Sequence, residues 1–359
     1  PPSRAAAPSS ATDATAAATS TTTTAPVYLP ITPKLEDARD VALSPDNAFF
    51  LVTTGGYGTV IHVDTNTNTA TRTFEGFSGP RGIDISPDTS FALVADYVIA
   101  SIGHIDLRTH QVSFPYPKEG IKGPRCVAIS PDASFALFAN GNHNNIGRIN
   151  LRTNQITFHY NDTGLNKPWG IAISPDSRHA VVSNFNGNNI ALIDLQIKDG
   201  LFTMFSKKVT FPFPEYGFNK PLGVAFSPDG ALVLVTNQGD NSIACIDFHT
   251  RRVTFLAGFN RPTGVSVSRD GTHALVAVNG DGRIARINLP TPSRDAPPPT
   301  AASPTTQPQF GTTNLFVCAF CHQNMPKKRA MRCAACRSVV YCSKNCQKRH
   351  WKVHKSACR

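Results

Sequence analysis

Short runs of alternating apolar and polar residues recur along the chain from Val27 to Leu289 at a nearly constant spacing. Val41/Leu43, Ile83/Ile85, Val127/Ile129, Ile171/Ile173, Val224/Phe226 and Val265/Val267 each stand two apart. That is the period a pleated strand imposes on side chains sharing one face. Ser-Pro-Asp follows the first five pairs, at Ser44, Ser86, Ser130, Ser174 and Ser227, and Ser268-Arg269-Asp270 makes a sixth copy. The Ser positions lie 42, 44, 44, 53 and 41 residues apart, and the long interval marks an insertion around Gln196 to Phe205. A repeat of this length decides the architecture before any local assignment is made.

Within each copy, Ser-Pro-Asp predicts a hairpin turn, with Pro presetting φ and the Asp carboxylate bonding the backbone ahead of it. A second apolar strand follows, as in Phe91 to Ala95 or Leu232 to Thr236, and ends in Asn/Gly-rich turns such as that at Asn140. A third reads Ile-x-x-Ile-Asp at 102–106, 190–194 and 243–247, and a fourth is Val112-Ser-Phe, Ile156-Thr-Phe, Val209-Thr-Phe or Val253-Thr-Phe. Four antiparallel strands, six times over, predict an all-β fold, a six-bladed β-propeller over residues 27–289. The sixth copy lacks a fourth strand, and the spare segment Val27 to Ile31 is expected to supply it and close the ring.

These repeats resemble the YVTN and NHL class of propellers, whose copies likewise join a Pro-x-Gly lead-in to Ser-Pro-Asp-Gly and an Asn-rich turn. The first copy departs from it, with Arg39-Asp40 in place of the lead-in. The residue five before each repeat's Ser is Arg39, Arg81, Arg125, Trp169, Leu222 and Thr263, which should ring one mouth of the channel. Three consecutive arginines and a Trp form a one-sided arc. Guanidinium forks suit carboxylates and phosphates, and an indole suits a flat or apolar moiety, so an acidic peptide or anionic ligand is expected there. The competing reading pairs the arginines with Asp40 and Asp84 in ordinary blade contacts. The position ten after each Ser reads Thr54, Asp96, Asn140, Asn184, Asn237 and Val278, of which the Asp and Asn read as turn formers.

Residues 1–26 form an Ala/Ser/Thr/Pro tract too poor in apolar residues to order itself, and residues 290–313 read as a Pro-rich linker. Beyond it the chemistry changes. Seven of nine cysteines fall between Cys318 and Cys358, in the pairs Cys318/Cys321, Cys333/Cys336 and Cys342/Cys346, with His354/Cys358 as a fourth pair. Zinc takes four thiolate or imidazole donors at tetrahedral corners, and a C-x-x-C turn supplies two of them. Eight donors make two closed, structural Zn2+ sites, with no open position for catalysis. Crowded pairs of this kind also favour a reducing, intracellular compartment, cytoplasm or nucleus, over a secreted disulfide framework. Organellar import through the acid-poor N-terminal tract is the alternative. Cys318-Ala-Phe-Cys321-His322 also spells a c-type haem attachment string, but the six further donors downstream account for the pair better.

Residues 314–359 resemble the MYND-type zinc finger, through Val339-Val-Tyr-Cys-Ser-Lys-Asn-Cys-Gln and the following His350-Trp351-x2-His354-x3-Cys358. Spacing alone leaves the pairing of donors open. The resemblance implies Cys318, Cys321, Cys342 and Cys346 on one zinc and Cys333, Cys336, His354 and Cys358 on the other, with His350 as packing. It also implies short hairpins plus one helix, and a groove at Gln347 and Trp351 for proline-rich partners.

Charge is distributed unevenly. The chain carries 35 Lys and Arg against 24 Asp and Glu, and residues 318–359 hold eleven of the cations and no acid, so the remainder balances at 24 against 24. Nucleic-acid binding by this basic tail is a reading considered but not favoured, because solvated cations around thiolates explain the charge and little aromatic surface accompanies it. No apolar run approaches the 18 residues of a membrane span, so no membrane association is expected. No phosphate loop, nucleophile elbow or H-E-x-x-H is present. The sequence therefore reads as a non-enzymatic interaction adaptor, with a propeller hydrolase or lactonase carrying a MYND targeting module as the alternative.

Overall fold

The computed structural model describes residues 26–33, 35–161, 163–195, 209–213 and 217–289, and four short strands nearer the C-terminus. The contacts divide the chain into two units, Pro1–Pro292 and Ser293–Arg359, each considered by itself. The expected insertion, the N-terminal tract, the linker and the helix after Ser343 lie outside the described residues.

Among the described residues of the first unit, the chain forms six four-stranded antiparallel sheets and no α-helix. Blade 1 is Ala38–Leu43, Phe49–Thr54, Thr59–Asp64 and Ala70–Phe74, in that order outward from the channel. The inner strands of blades 2 to 6 are Pro80–Ile85, Pro124–Ile129, Pro168–Ile173, Pro221–Phe226 and Pro262–Val267. In blade 6, Arg283–Asn288 pairs with Val27–Tyr28 (Val27 opposite Arg286, Tyr28 opposite Ala285), so the N-terminal strand completes the last blade. Closure of this kind ties the two ends of the ring together and leaves only the short outer strand of each blade as an outer edge.

The Ser-Pro-Asp hairpins are built alike. Ser44 Oγ donates to Asp46 Oδ1 at 2.6 Å and accepts the Phe49 N–H at 3.0 Å, and Asp46 Oδ1 also accepts the Ala48 N–H. The residue after Asp is left-handed in every copy: Asn47, Thr89, Ala133, Ser177, Gly230 and Gly271 all have φ between 53° and 72°. The expected role of the +10 residues as turn formers also holds. Asp96 accepts the amides of Ser78 and Gly79, and Asn140, Asn184 and Asn237 accept those of Lys122, Asn166 and Asn219.

Six apolar clusters hold the ring, one between each pair of neighbouring blades. Leu51 and Val60 of blade 1 meet Ile83, Val94 and Ile105 of blade 2, and Leu275, Ala277 and Ile284 of blade 6 meet Val41, Phe50 and Val52 of blade 1. Each buried Leu, Ile or Phe contributes about 1.5–3 kcal/mol. Inner strands approach one another so closely that the Gly of the lead-in has a steric purpose. A Cβ on Gly170 would lie 2.1 Å from Leu222 O, and one on Gly223 would lie 2.5 Å from Thr263 O. Hydroxyls fasten the same seam, Thr53 Oγ1 donating to Arg81 O at 2.5 Å and Thr236 Oγ1 to Thr263 O at 2.6 Å.

In the second unit, Leu315–Val317 pairs with Asn324–Pro326 and Met331–Arg332 with Val340–Tyr341.

Candidate functional site

Each inner strand enters at the channel mouth opposite the Ser-Pro-Asp turns. There all six residues of the predicted ring, Arg39, Arg81, Arg125, Trp169, Leu222 and Thr263, line one cavity of about 180 Å³. Phe185, Gln238 and Arg261 join them in its wall.

The arginines are not equivalent. Arg39 is paired with Asp37 (2.8 Å), a residue of its own lead-in. Arg81 and Arg125 make no ion pair among the described residues. Asp40 and Asp84, the partners of the competing reading, face other groups: Asp40 accepts the amides of Val41 and Ile83, and Asp84 those of Ile85 and Ile129. Each carboxylate thus bridges its own strand to the next blade. Burial pushes both carboxyls up to about 7 despite these amides.

Aromatic faces hold the unpaired arginines instead. The Arg125 guanidinium carbon lies 4.1 Å from the Tyr97 ring centroid and 4.2 Å from that of Trp169, and Arg81 lies 4.7 and 5.4 Å from the same rings. Cation–π contacts of this kind contribute about 0.5–2 kcal/mol. Arg125 is only 5 % exposed, and the Nε atoms of Arg81 and Arg125 are both buried without an acceptor. Desolvation, then the neighbouring Arg81 charge, brings Arg125 down to about 10, and desolvation followed by Arg39 lowers Arg81. Two like charges, neither in an ion pair, at an open cavity favour an entering anion.

Trp169 lies against both guanidiniums and 5.1 Å from Phe185, so its ring helps to orient the cations. Tyr97 and Phe185 were missed from sequence because they sit eleven after the repeat Ser, one residue past the position inspected; that series reads Gly55, Tyr97, Gly141, Phe185, Gln238 and Asn279. Below them, Asp40 and Cys126 occupy the Gly position of the lead-in in blades 1 and 3, and both line the mouth cavity and the wider channel of about 590 Å³ beneath it. Burial raises the Cys126 thiol, which keeps it protonated. Among the described residues no group of three or more His, Cys, Asp or Glu is placed to share a metal ion.

The eight expected zinc donors and Gln347 and Trp351 lie outside the described residues. Their order against the paired strands is still informative. Cys318 and Cys321 fall in the six residues joining Leu315–Val317 to Asn324–Pro326, and Cys333 and Cys336 in the seven joining Met331–Arg332 to Val340–Tyr341. Hairpin connections carrying C-x-x-C match the donor chemistry of structural zinc.

The ring and its channel define the first unit as a six-bladed β-propeller. Residues 32–218, more than half of the chain, match the family described as "Lactonase, 7-bladed beta-propeller", and the chain belongs to that family, with six blades rather than seven. Residues 318–358 match the MYND finger, a zinc-binding module. Among solved structures, the chain is similar to hydrazine synthase of Kuenenia stuttgartiensis, at 19% identity and TM-score 0.54, over 70% of this chain and 84% of that one. It is also similar to selenomethionine-substituted virginiamycin B lyase from Staphylococcus aureus, at 20% identity and TM-score 0.52, over 69% and 79%. At these identities the likeness is one of fold.

Proposed function

We propose that the protein is a non-enzymatic adaptor. Its propeller mouth captures an anionic ligand or acidic peptide through Arg81 and Arg125, with Arg39 and Trp169 beside them. Its MYND finger, built on two structural zinc ions, binds a short proline-containing peptide. The carrying observation is the pair of ring-stacked guanidiniums, Arg125 buried and Arg81 half-buried, at an open cavity with no carboxylate paired to either. In the finger, Cys318, Cys321, Cys342 and Cys346 would hold one zinc and Cys333, Cys336, His354 and Cys358 the other, with Trp351 packing on a proline ring while the Gln347 amide reads the extended backbone.

The two surfaces are tested separately. Arg81→Ala with Arg125→Ala is expected to abolish capture of an acidic peptide or phosphate in equilibrium titration, while the melting temperature falls by no more than a few degrees. Unchanged binding in a folded double variant would make the arc structural. Trp351→Ala that keeps its zinc is expected to lose proline-rich peptides in the same assay, and normal binding would remove the groove assignment.

Membership of the lactonase family supports a second reading, a propeller hydrolase with the finger as a targeting module. Metal analysis of the full chain separates the two. Two zinc ions and no other divalent ion are expected of the adaptor, whereas a further ion in the propeller together with lactone hydrolysis would favour the enzyme.

A further inference from the structure

The arc of arginines covers blades 1 to 3. On blades 4 to 6 the residue seven before the repeat Ser is Lys167, Lys220 and Arg261; Arg261 lines the mouth cavity itself, and Lys167 and Lys220 stand outside its lining, two residues before the ring positions Trp169 and Leu222. Their backbone is left-handed, with φ of 56°, 51° and 54°, a conformation in which the Cβ of an L residue is crowded. Blade 3 has Gly123 at this position with φ 60°, the residue that would adopt it freely. Each of the three backbone amides is clamped by an Asn of the preceding blade: Lys167 N–H by Asn144 Oδ1 (2.7 Å), Lys220 by Asn188 (2.9 Å) and Arg261 by Asn241 (2.8 Å). The fold thus holds cations where glycine would sit more easily, and none of them makes an ion pair among the described residues.

The second arc joins the first through a chain of ring contacts. Lys167 Nζ lies 5.7 Å from the Phe185 centroid, Phe185 lies 5.1 Å from Trp169, and Trp169 lies against Arg125. Of the carboxylates at this end, Asp37 is paired with Arg39, whereas Asp96, Asp240 and Asp281 are held by neutral donors, the amides of Ser78 and Gly79, the side chains of Asn219 and Asn237, and those of Asn260 and Tyr28. The mouth cavity of about 180 Å³ holds a small anionic group beside the arginines, and Arg261 in the same wall offers a cation to a further charge of the ligand.

We propose that the mouth is a polyanion site. It takes a compact small molecule bearing two or more phosphate-like groups, one against Arg81 and Arg125 and the others against Lys167, Lys220 and Arg261. The inference rests on the anion-binding reading above and goes beyond it in ligand valence and in the three rim residues.

Calorimetric titration of the full chain with phosphate, pyrophosphate and tripolyphosphate at constant ionic strength tests it. Affinity is expected to rise by roughly tenfold or more with each added phosphate, because every additional charge meets a fixed cation. The triple change Lys167→Gly, Lys220→Gly and Arg261→Gly is expected to flatten that rise to the monophosphate level while the melting temperature holds or increases, since glycine relieves the left-handed strain. The basic C-terminal segment is intact in every variant, and binding left when Arg81, Arg125, Lys167, Lys220 and Arg261 are all replaced measures its share. A rise that survives in the triple variant, or a wild-type protein that binds all three anions equally, overturns the polyanion site and leaves the arginine arc standing. Failure of wild type to bind any of them or a hexaglutamate peptide overturns the parent reading as well. A hexaglutamate peptide binding more tightly than tripolyphosphate would assign the mouth to acidic peptides instead.

Discussion

Chelation of zinc from the full chain is expected to open residues 318–358 to protease while the propeller keeps its fold. Structural zinc supplies about 10–16 kcal/mol in small fingers, and a segment of this size buries too little apolar surface to fold on its own core. The propeller draws on a different source. Its six inter-blade clusters and the pairing of Val27–Tyr28 with Arg283–Asn288 contain no metal donor set among the described residues. Limited proteolysis followed by mass spectrometry, with zinc release recorded in parallel, reads both halves at once. Tail peptides that stay protected after the zinc has left would show that the metal is not what holds the finger.

Gly170→Ala should be among the most damaging single-methyl additions in the propeller. The new Cβ meets Leu222 O at 2.1 Å and Ser183 Oγ at 3.1 Å, and neither can move aside cheaply. Ser183 Oγ accepts the Gly170 N–H at 2.7 Å and donates to Leu222 O, so one hydroxyl ties both inner strands at the point of collision. Relief requires parting blades 4 and 5, whose shared cluster includes Val181, Ile190, Val224 and Val235. A loss of at least ~3 kcal/mol is expected, a drop on the order of 10 °C in melting temperature for a domain of this size. Gly217→Ala serves as the comparison, because a Cβ there meets nothing within 4 Å and should change stability by no more than about 0.5 kcal/mol. Equal melting temperatures for the two variants would mean that the blades slide to absorb the methyl group.

Much of the architecture was legible in one dimension because a repeat prints the same local physics six times. Alternation at Ile83/Ile85 or Val127/Ile129 places inner strands, Ser-Pro-Asp closes each hairpin through its own side chains, and the missing fourth strand of the last copy points to the spare one at Val27. The mouth ring was legible for the same reason, since equivalent positions in a closed ring must converge on its axis. Donor pairs such as Cys318/Cys321 carry their chemistry in their spacing.

What these residues do once gathered was settled by contacts across blades. Asp40 follows Arg39 and Asp84 lies three residues after Arg81, yet each accepts one amide of its own strand and one of the following blade, because a buried carboxylate gains more from two fixed N–H donors than from a distant fork. Trp169 orients Arg81 and Arg125, its neighbours on the two preceding blades, and Tyr97 and Phe185 enter from loops one residue beyond the turn formers. The cations at Lys167, Lys220 and Arg261 gain meaning only from a left-handed backbone held by the previous blade's asparagines. Periodicity and turn chemistry act within about ten residues and can be read along the chain, whereas the pairing of charge, ring and amide across some 40 residues exists only after the ring has closed.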